Sequence, residues 1–172
     1  FYVIDRATGE LISAENILPV NWATHVDIET GRPVETLDAR YDETLAAKKI
    51  VPGPGGAHNW QPMTYSPDTG YVYIPAKQQP TVYQVNENYA PVPIGFNLGI
   101  NTWDPPEEFI DLGPEFGEDY QGHLIAWDPV QQEEVWRVSH TNFENGGLLS
   151  TAGNLLFQGN ADEEIVAFNA ET

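Results

Sequence analysis

Short apolar runs separated by turn residues recur along the whole chain. Seven of these runs predict β-strands: Phe1–Ile4, Met63–Tyr65, Tyr71–Ala76, Leu124–Trp127, Glu134–Val138, Leu155–Gln158 and Glu164–Phe168. Turn sequences such as residues 6–9, 29–31, 66–70 and 128–129 contain Pro or Asp, which favour a turn, or Gly, which accepts a positive φ. The helical period is weak everywhere, and residues 43–49 would form at most about two helical turns. The pattern therefore predicts an all-β protein.

One of these runs recurs with an aromatic residue in a fixed place. Leu124–Asp128 and Ile165–Asn169 match at every apolar position with an offset of 41 residues, and Phe1–Asp5 fits the same template. A repeat of about 40 to 50 residues built from short strands is typical of a β-propeller blade. Three partial copies are too few for a ring, which needs at least about four blades. Because the first copy begins inside a strand and the last copy stops before the Gly of its turn, we expect the chain to be an internal fragment of a longer protein.

Residues 81–120 interrupt the repeat and are predicted to form a long irregular insertion. They contain five prolines and an unusual number of aromatic residues, including Tyr83, Tyr89, Phe96, Trp103, Phe109, Phe116 and Tyr120. A loop of this length in a compact β protein is usually a lid or part of an interface. A decorated surface loop without chemistry is the alternative.

Charge and composition exclude several classes of function. Asp and Glu number 26 against 7 Lys and Arg, which gives a formal net charge of −19. Such a chain repels nucleic acid and anionic lipid, so neither is an expected partner. Cysteine is absent, which excludes disulfides, thiolate zinc sites and covalent c-type haem attachment in this segment. No apolar run approaches the roughly 18 residues of a membrane span.

Several segments resemble the PQQ-dependent alcohol dehydrogenases, where PQQ is pyrroloquinoline quinone. Residues 126–136 are similar to the tryptophan-docking motif of that family, Ala-x-Asp-x-x-Thr-Gly-x-x-x-Trp, with Gln131-Gln132 in place of Thr-Gly. Residues 53–76, residues 145–159, and residues 1–14 with 19–24 resemble three further family segments in the family's order. The resemblance implies that residues 1–172 are part of an eight-bladed β-propeller, with about three partial blades.

The resemblance also implies which residues contact the cofactor. Asn59, in the sequence His58-Asn59-Trp60, corresponds to a family Asn that reaches the quinone, and its amide can both donate and accept. Asn145 and Gly146 belong to a segment that lies near the quinone in relatives, and Gly would permit close approach. The alternatives are a turn role for Asn59 and a bulge at the glycines. His58 is interpreted as a structural support, although its ordinary pKa lies near neutrality.

The remaining implications concern the whole protein. Relatives hold calcium or a lanthanide ion beside PQQ, oxidise an alcohol to an aldehyde in the periplasm, and pass electrons to cytochrome c or a quinone. Their Asp base and metal ligands belong to segments that precede this one, so no catalytic or metal-ligating residue is expected here, and the chain alone is expected to be inactive. The rest of the propeller, or a partner chain that completes it, is an expected partner. A non-catalytic propeller scaffold or protein-binding module is the alternative function.

Overall fold

The computed structural model describes residues 1–37, 39–40, 46–95, 97–101 and 121–172. Across these ranges the secondary structure consists of fourteen β-strands without a helix, which confirms the predicted all-β class. The strands are β1 (Tyr2–Ile4), β2 (Leu11–Ala14), β3 (Ala23–Asp27), β4 (Arg32–Glu35), β5 (Lys48–Ile50), β6 (Thr64–Tyr65), β7 (Val72–Gln78), β8 (Thr81–Val85), β9 (Ile100–Asn101), β10 (Gln121–Asp128), β11 (Glu133–His140), β12 (Leu148–Ser150), β13 (Leu155–Gly159) and β14 (Ile165–Asn169).

One four-stranded sheet forms the centre of the structure. Its strands lie in the order β11-β10-β7-β6, and every neighbouring pair is antiparallel. This is the sheet size of one propeller blade. Around it lie a three-stranded sheet of β12, β13 and β14, the hairpins β1-β2 and β3-β4, and a second three-stranded sheet of β5, β8 and β9.

The two long central strands of this sheet, β7 and β10, are buried on both faces. Successive residues of a strand point to opposite faces, so Tyr73 and Leu124 join a core cluster on one side with Leu156 of β13. Ile74 and Ile125 join a cluster on the other side with Leu18, which follows β2. The central blade is therefore packed between a neighbour on each face, as blades are in a propeller.

Every predicted strand coincides with an observed one. Seven further observed strands were not predicted, because they lack a strong apolar run. Residues 48–50 form β5 rather than the end of a short helix, because they pair with β8; residues 43–45 of that predicted helix lie outside the described ranges. Residues 81–85, predicted to begin an irregular segment, form β8, which pairs with both β5 and β9. Of the remaining insertion, residues 96 and 102–120 also lie outside the described ranges.

A recurring hairpin turn explains the repeated Asp and Gly positions. In the Asp5–Gly9 turn, the Asp5 carboxylate accepts hydrogen bonds from the backbone N–H groups of residues 7 and 8, and Gly9 has a φ of 78°. The Asp128 turn has the same plan, with backbone N–H groups of residues 130 and 131 donating to Asp128 Oδ1. There the left-handed position is occupied by Gln132, with a φ of 57°.

Gln132 compensates for the missing glycine by linking two sheets. Its Oε1 accepts a hydrogen bond from Trp127 Nε1 at 3.2 Å, and its Nε2 donates to Ser13 Oγ of β2 at 2.7 Å. Trp136, the docking tryptophan, lies opposite Ala126 in the β10-β11 register, with its ring centroid 5.8 Å from that of Tyr73. The departure from Thr-Gly therefore leaves the tryptophan in place and adds a contact between neighbouring sheets.

Candidate functional site

Two loops meet at one end of the central blade. The Asn59 loop (residues 51–63) precedes β6, and the Asn145 loop (residues 141–147) connects β11 to β12. The pairing register places the end of β7, the start of β10 and the end of β11 at the same edge of the sheet, with Gly122 opposite both Lys77 and His140. Both family-like cofactor segments are therefore brought to one edge.

The Asn59 loop runs alongside β7 and is fixed to it by backbone hydrogen bonds. The N–H of Lys77 donates to the carbonyl of Ala57 at 2.8 Å, and His58 Nδ1 lies 2.9 Å from the carbonyl oxygen of Pro75. Gly56 has a φ of 68°, and a Cβ there would lie 2.8 Å from the carbonyl oxygen of His58. His58 thus supports the loop, while Gly56 supplies the conformation that a side chain would prevent.

Asn59 itself lies on the exposed side of this loop. Its Nδ2 donates to the carbonyl oxygen of Gly55 at 3.1 Å, a local bond of the kind that orders a turn. The neighbouring Trp60 side chain is 77% exposed. An exposed amide beside an exposed indole provides both hydrogen-bonding capacity and a flat apolar surface.

Asn145 and Gly146 are bound into the fold more tightly than Asn59. Asn145 Nδ2 donates to the carbonyl of Asn142 at 2.8 Å, whereas its Oδ1 is buried and has no hydrogen-bond partner among the described residues. The N–H of Gly146 donates to the carbonyl of Gly159, and its own carbonyl accepts from Gln158 Nε2. A Cβ at Gly146 would lie 2.8 Å from that Gly159 oxygen. The packing of β13 therefore explains this glycine without a ligand.

Direct contacts join the two loops. The N–H of Leu148, just after the Asn145 loop, donates to the carbonyl of Pro62 at 2.9 Å. A Cβ at Gly147 would lie 2.4 Å from Pro62 Cδ, so only glycine fits there. Gln61 Nε2 and Lys77 Nζ each donate to the carboxylate of Glu144, at 3.1 and 2.5 Å.

Sequence reasoning did not find the roles of Lys77, Glu144 and Gln61. Lys77 gives one signal, because it is a cation directly after the apolar run that predicts β7. Glu144 and Gln61 give no such signal, since both lie in polar loops, and the contact between these loops depends on the sheet register. The predicted pair Asn59 and Asn145 is brought to the same edge, on loops that touch.

Burial lowers the pKa of two histidines near this edge. His123 is 3% exposed, and burial, together with the positive charge of Arg137, lowers its pKa to about 4. Burial also lowers the pKa of His140, whose Nε2 lies 3.2 Å from Gln158 Oε1. Gln158 in turn bonds the Gly146 carbonyl, so this pair supports the Asn145 loop from behind.

The described part of the chain contains no group of three or more His, Cys, Asp or Glu side chains arranged to hold a metal ion. The same residues also form no helix that is long and apolar enough to cross a membrane.

Comparison with known proteins gives a consistent result over the whole chain. The chain is 45% identical over 176 residues to the quinohemoprotein alcohol dehydrogenase ADH-IIG of Pseudomonas putida, a match that covers 100% of this chain and 24% of that protein. It is 44% identical over 179 residues to the 1-butanol dehydrogenase (cytochrome c) of Thauera butanivorans, again covering 99% of this chain and 24% of the relative. No family model matches.

Solved structures show the same relationship. The structure of ADHIIG from Pseudomonas putida superposes with a TM-score of 0.84 at 44% identity, covering 99% of this chain and 25% of that one. A europium-containing methanol dehydrogenase superposes with a TM-score of 0.82 at 30% identity, covering 99% and 28%. The chain spans about a quarter of the length of the curated relatives it matches. By sequence and by fold, it belongs to the PQQ-dependent quinoprotein alcohol dehydrogenase family and is a part of that family's β-propeller.

Proposed function

We propose that this chain is part of a PQQ-dependent alcohol dehydrogenase that oxidises an alcohol to an aldehyde, and that it contributes one side of the quinone pocket. The observation that carries the proposal is the meeting of the Asn59 loop and the Asn145 loop at one edge of the central blade. Both loops hold segments that resemble the family's cofactor segments, and they are separated by about 80 residues in the sequence.

The residues at this edge fit a flat, polar, carboxylated cofactor. Asn59 is the direct contact that we propose, because its exposed amide can accept from a ring N–H or donate to a quinone or carboxylate oxygen. Asn145 and Gly146 would form part of the wall by packing, since Asn145 Nδ2 and both backbone polar groups of Gly146 are engaged within the fold. Glycines at 55, 56, 146 and 147 keep side chains away from both loops.

When bound, PQQ supplies the group that accepts two electrons from the alcohol. The role of this chain is to orient that group and to exclude water from its face. Proton removal from the alcohol and metal binding are assigned to the remainder of the protein, because the resemblance implies that the family's Asp base and metal ligands belong to other segments. The chain by itself is therefore expected to be inactive.

The metal, the electron acceptor and the compartment follow from relatives. A europium-containing relative and the calcium sites implied by the family make calcium or a lanthanide ion the proposed metal. Cytochrome c is a proposed acceptor because a relative is named as linked to it, and a quinone is the other. We propose a periplasmic location because the resemblance to this family implies it.

The test is a dye-linked assay of the intact protein. It is incubated with PQQ and either calcium or a lanthanide ion, and reduction of an artificial electron acceptor is followed with a series of primary alcohols. We expect reduction that depends on both PQQ and alcohol. Asn59→Ala should weaken PQQ binding about tenfold, the effect of losing one or two cofactor hydrogen bonds, whereas Asn88→Ala, at another exposed loop position, should not.

Two results would contradict the proposal. Failure of the intact protein to bind PQQ would favour the alternative of a non-catalytic propeller scaffold. Binding of PQQ with equal affinity by the wild-type protein and by Asn59→Ala would remove Asn59 from the proposed pocket while leaving the family's chemistry in place.

A further inference from the structure

A single carboxylate connects the two loops of the proposed pocket. The side chain of Lys77 is 9% exposed and that of Glu144 is 47% exposed, and their Nζ and Oε1 atoms lie 2.5 Å apart. An ammonium group buried to this degree requires a partner, since water cannot solvate it. The other oxygen of Glu144 accepts from Gln61 Nε2 at 3.1 Å, and Gln61 is itself 4% exposed. Both donors lie within or directly beneath the Asn59 loop.

Lys77 is also covered by the Asn59 loop. Its backbone N–H holds the Ala57 carbonyl at 2.8 Å, and a Cβ at Gly55 would lie 3.4 Å from its Cε and 3.5 Å from its Nζ. The loop backbone thus rests on the lysine side chain. Glu144 is consequently linked to the Asn59 loop twice, once through Lys77 and once through Gln61.

Little free space remains between these groups. The cavity that Gln61, Lys77, Phe143 and Asn145 line has a volume of about 10 Å³, near the lower limit for one water molecule. Gly122 packs closely against the Asn145 side chain, because a Cβ there would lie 2.5 Å from Asn145 Nδ2. Asn145 follows Glu144 directly in the chain, so a displacement of the Glu144 backbone would move Asn145 with it.

We infer that Glu144 is a positioning residue, which holds the Asn145 loop against the Asn59 loop in the arrangement that binds the quinone. This role rests on the proposed function. Glu144 does not contact the cofactor in this role; it acts through Lys77 and Gln61.

The experiment compares PQQ binding by the apoprotein forms of the intact protein. Glu144→Ala, Glu144→Gln and Lys77→Met are titrated with PQQ, with tryptophan fluorescence as the signal, below the midpoint of thermal unfolding of each apoprotein. Glu133→Ala is the matched control, because Glu133 is an exposed carboxylate on β11 of the same blade. The midpoints are recorded as well, so that stability and affinity are measured separately.

Glu144→Ala is expected to weaken PQQ binding about tenfold, as when one charge-assisted hydrogen bond is lost from the bound arrangement. Glu144→Gln keeps one acceptor oxygen, so it can accept from only one of the two donors; it should bind PQQ about threefold more weakly than the wild type, and more tightly than Glu144→Ala. Glu133→Ala should bind as the wild type does. If Glu144→Ala does not fold, Glu144→Gln and Lys77→Met together provide the test, with the larger loss expected for Lys77→Met.

An unchanged affinity in folded Glu144→Ala, or in Lys77→Met, would overturn the positioning role even if the midpoint of unfolding falls. A wild-type protein that does not bind PQQ would refute the proposed function itself. These two failures are distinguishable, because the first requires normal binding by the wild type.

Discussion

Gln132 both occupies the left-handed position of a turn and links two sheets through its side chain, and substitutions can separate these two roles. The residue has a positive φ of 57° and yet is not glycine. Its side chain bonds Trp127 and Ser13, and so joins the central blade to the β1-β2 hairpin. Substitution by Ala removes both bonds and keeps the backbone strain, whereas substitution by Gly removes the same bonds and relieves the strain.

The expected magnitudes follow from these contacts. Loss of two hydrogen bonds costs about 1 kcal/mol each, and an unpaired donor on Trp127, which is 3% exposed, adds about 1 kcal/mol more. Gln132→Ala should therefore lower the free energy of unfolding by about 3 kcal/mol. Gln132→Gly loses the same bonds but avoids the left-handed backbone penalty of roughly 1 to 2 kcal/mol. Part of this gain is offset because glycine has more conformational entropy in the unfolded chain. Gln132→Gly should therefore be more stable than Gln132→Ala by about 0.5 to 1 kcal/mol.

The assay is urea-induced unfolding of the intact protein, with the midpoint followed by tryptophan fluorescence. Ser13→Ala isolates one of the two bonds and should cost about 1 kcal/mol. Gln131→Ala is the matched control, because Gln131 is the exposed neighbour in the same turn, and it should change stability by less than about 0.5 kcal/mol. The reasoning would be refuted if Gln132→Ala were as stable as Gln132→Gly, or if both matched the wild type.

Three further predictions concern buried groups. His123 remains neutral in the folded state down to its pKa of about 4, whereas in the unfolded chain the imidazole takes up a proton near pH 6.5. The free energy of unfolding should therefore fall by about 3 kcal/mol as the pH drops from 6.5 to 4. His123→Asn should flatten a plot of the urea midpoint against pH over that window. Gly122→Ala places a Cβ 2.3 Å from the Asn142 carbonyl oxygen; it should displace the Asn145 loop and lower the thermal midpoint, and an unchanged midpoint would show that the loop adapts. Tyr73→Phe removes a hydroxyl that donates to the Ala170 carbonyl at 2.7 Å in a fully buried position; calorimetry should show a loss of about 1 to 3 kcal/mol, and Tyr65→Phe, at an exposed tyrosine, is the control.

The strands that could be predicted from the sequence are those whose burial requires a run of apolar residues. Tyr71–Ala76 and Leu124–Trp127 are apolar because they lie at the centre of the blade, and both were found with small changes at their ends. Arg32–Glu35 carries polar residues because three of its four positions are exposed. Lys48–Ile50 has only one apolar residue, and its strand structure depends on pairing with β8, which is distant in the sequence.

The candidate site was predictable only where a local motif existed. Asn59 and the Asn-Gly-Gly sequence were identified from their resemblance to family segments. The contact between their loops depends on Glu144 reaching Lys77, which is 67 residues away. No local pattern encodes that contact, because it arises from the register between β7, β10 and β11.

The burial of the central blade on both faces has a consequence for the order in which the protein is made. One face is covered by Leu18, available early in synthesis, but the other is covered by β13 and by Ala170, whose carbonyl binds the Tyr73 hydroxyl across 97 residues. Such distant pairings form slowly and leave apolar surface exposed until they close. Whether the chain emerges from the ribosome or from a membrane channel, this blade would therefore stay half-covered until Ala170 emerges, and its uncovered face would expose apolar surface during that interval.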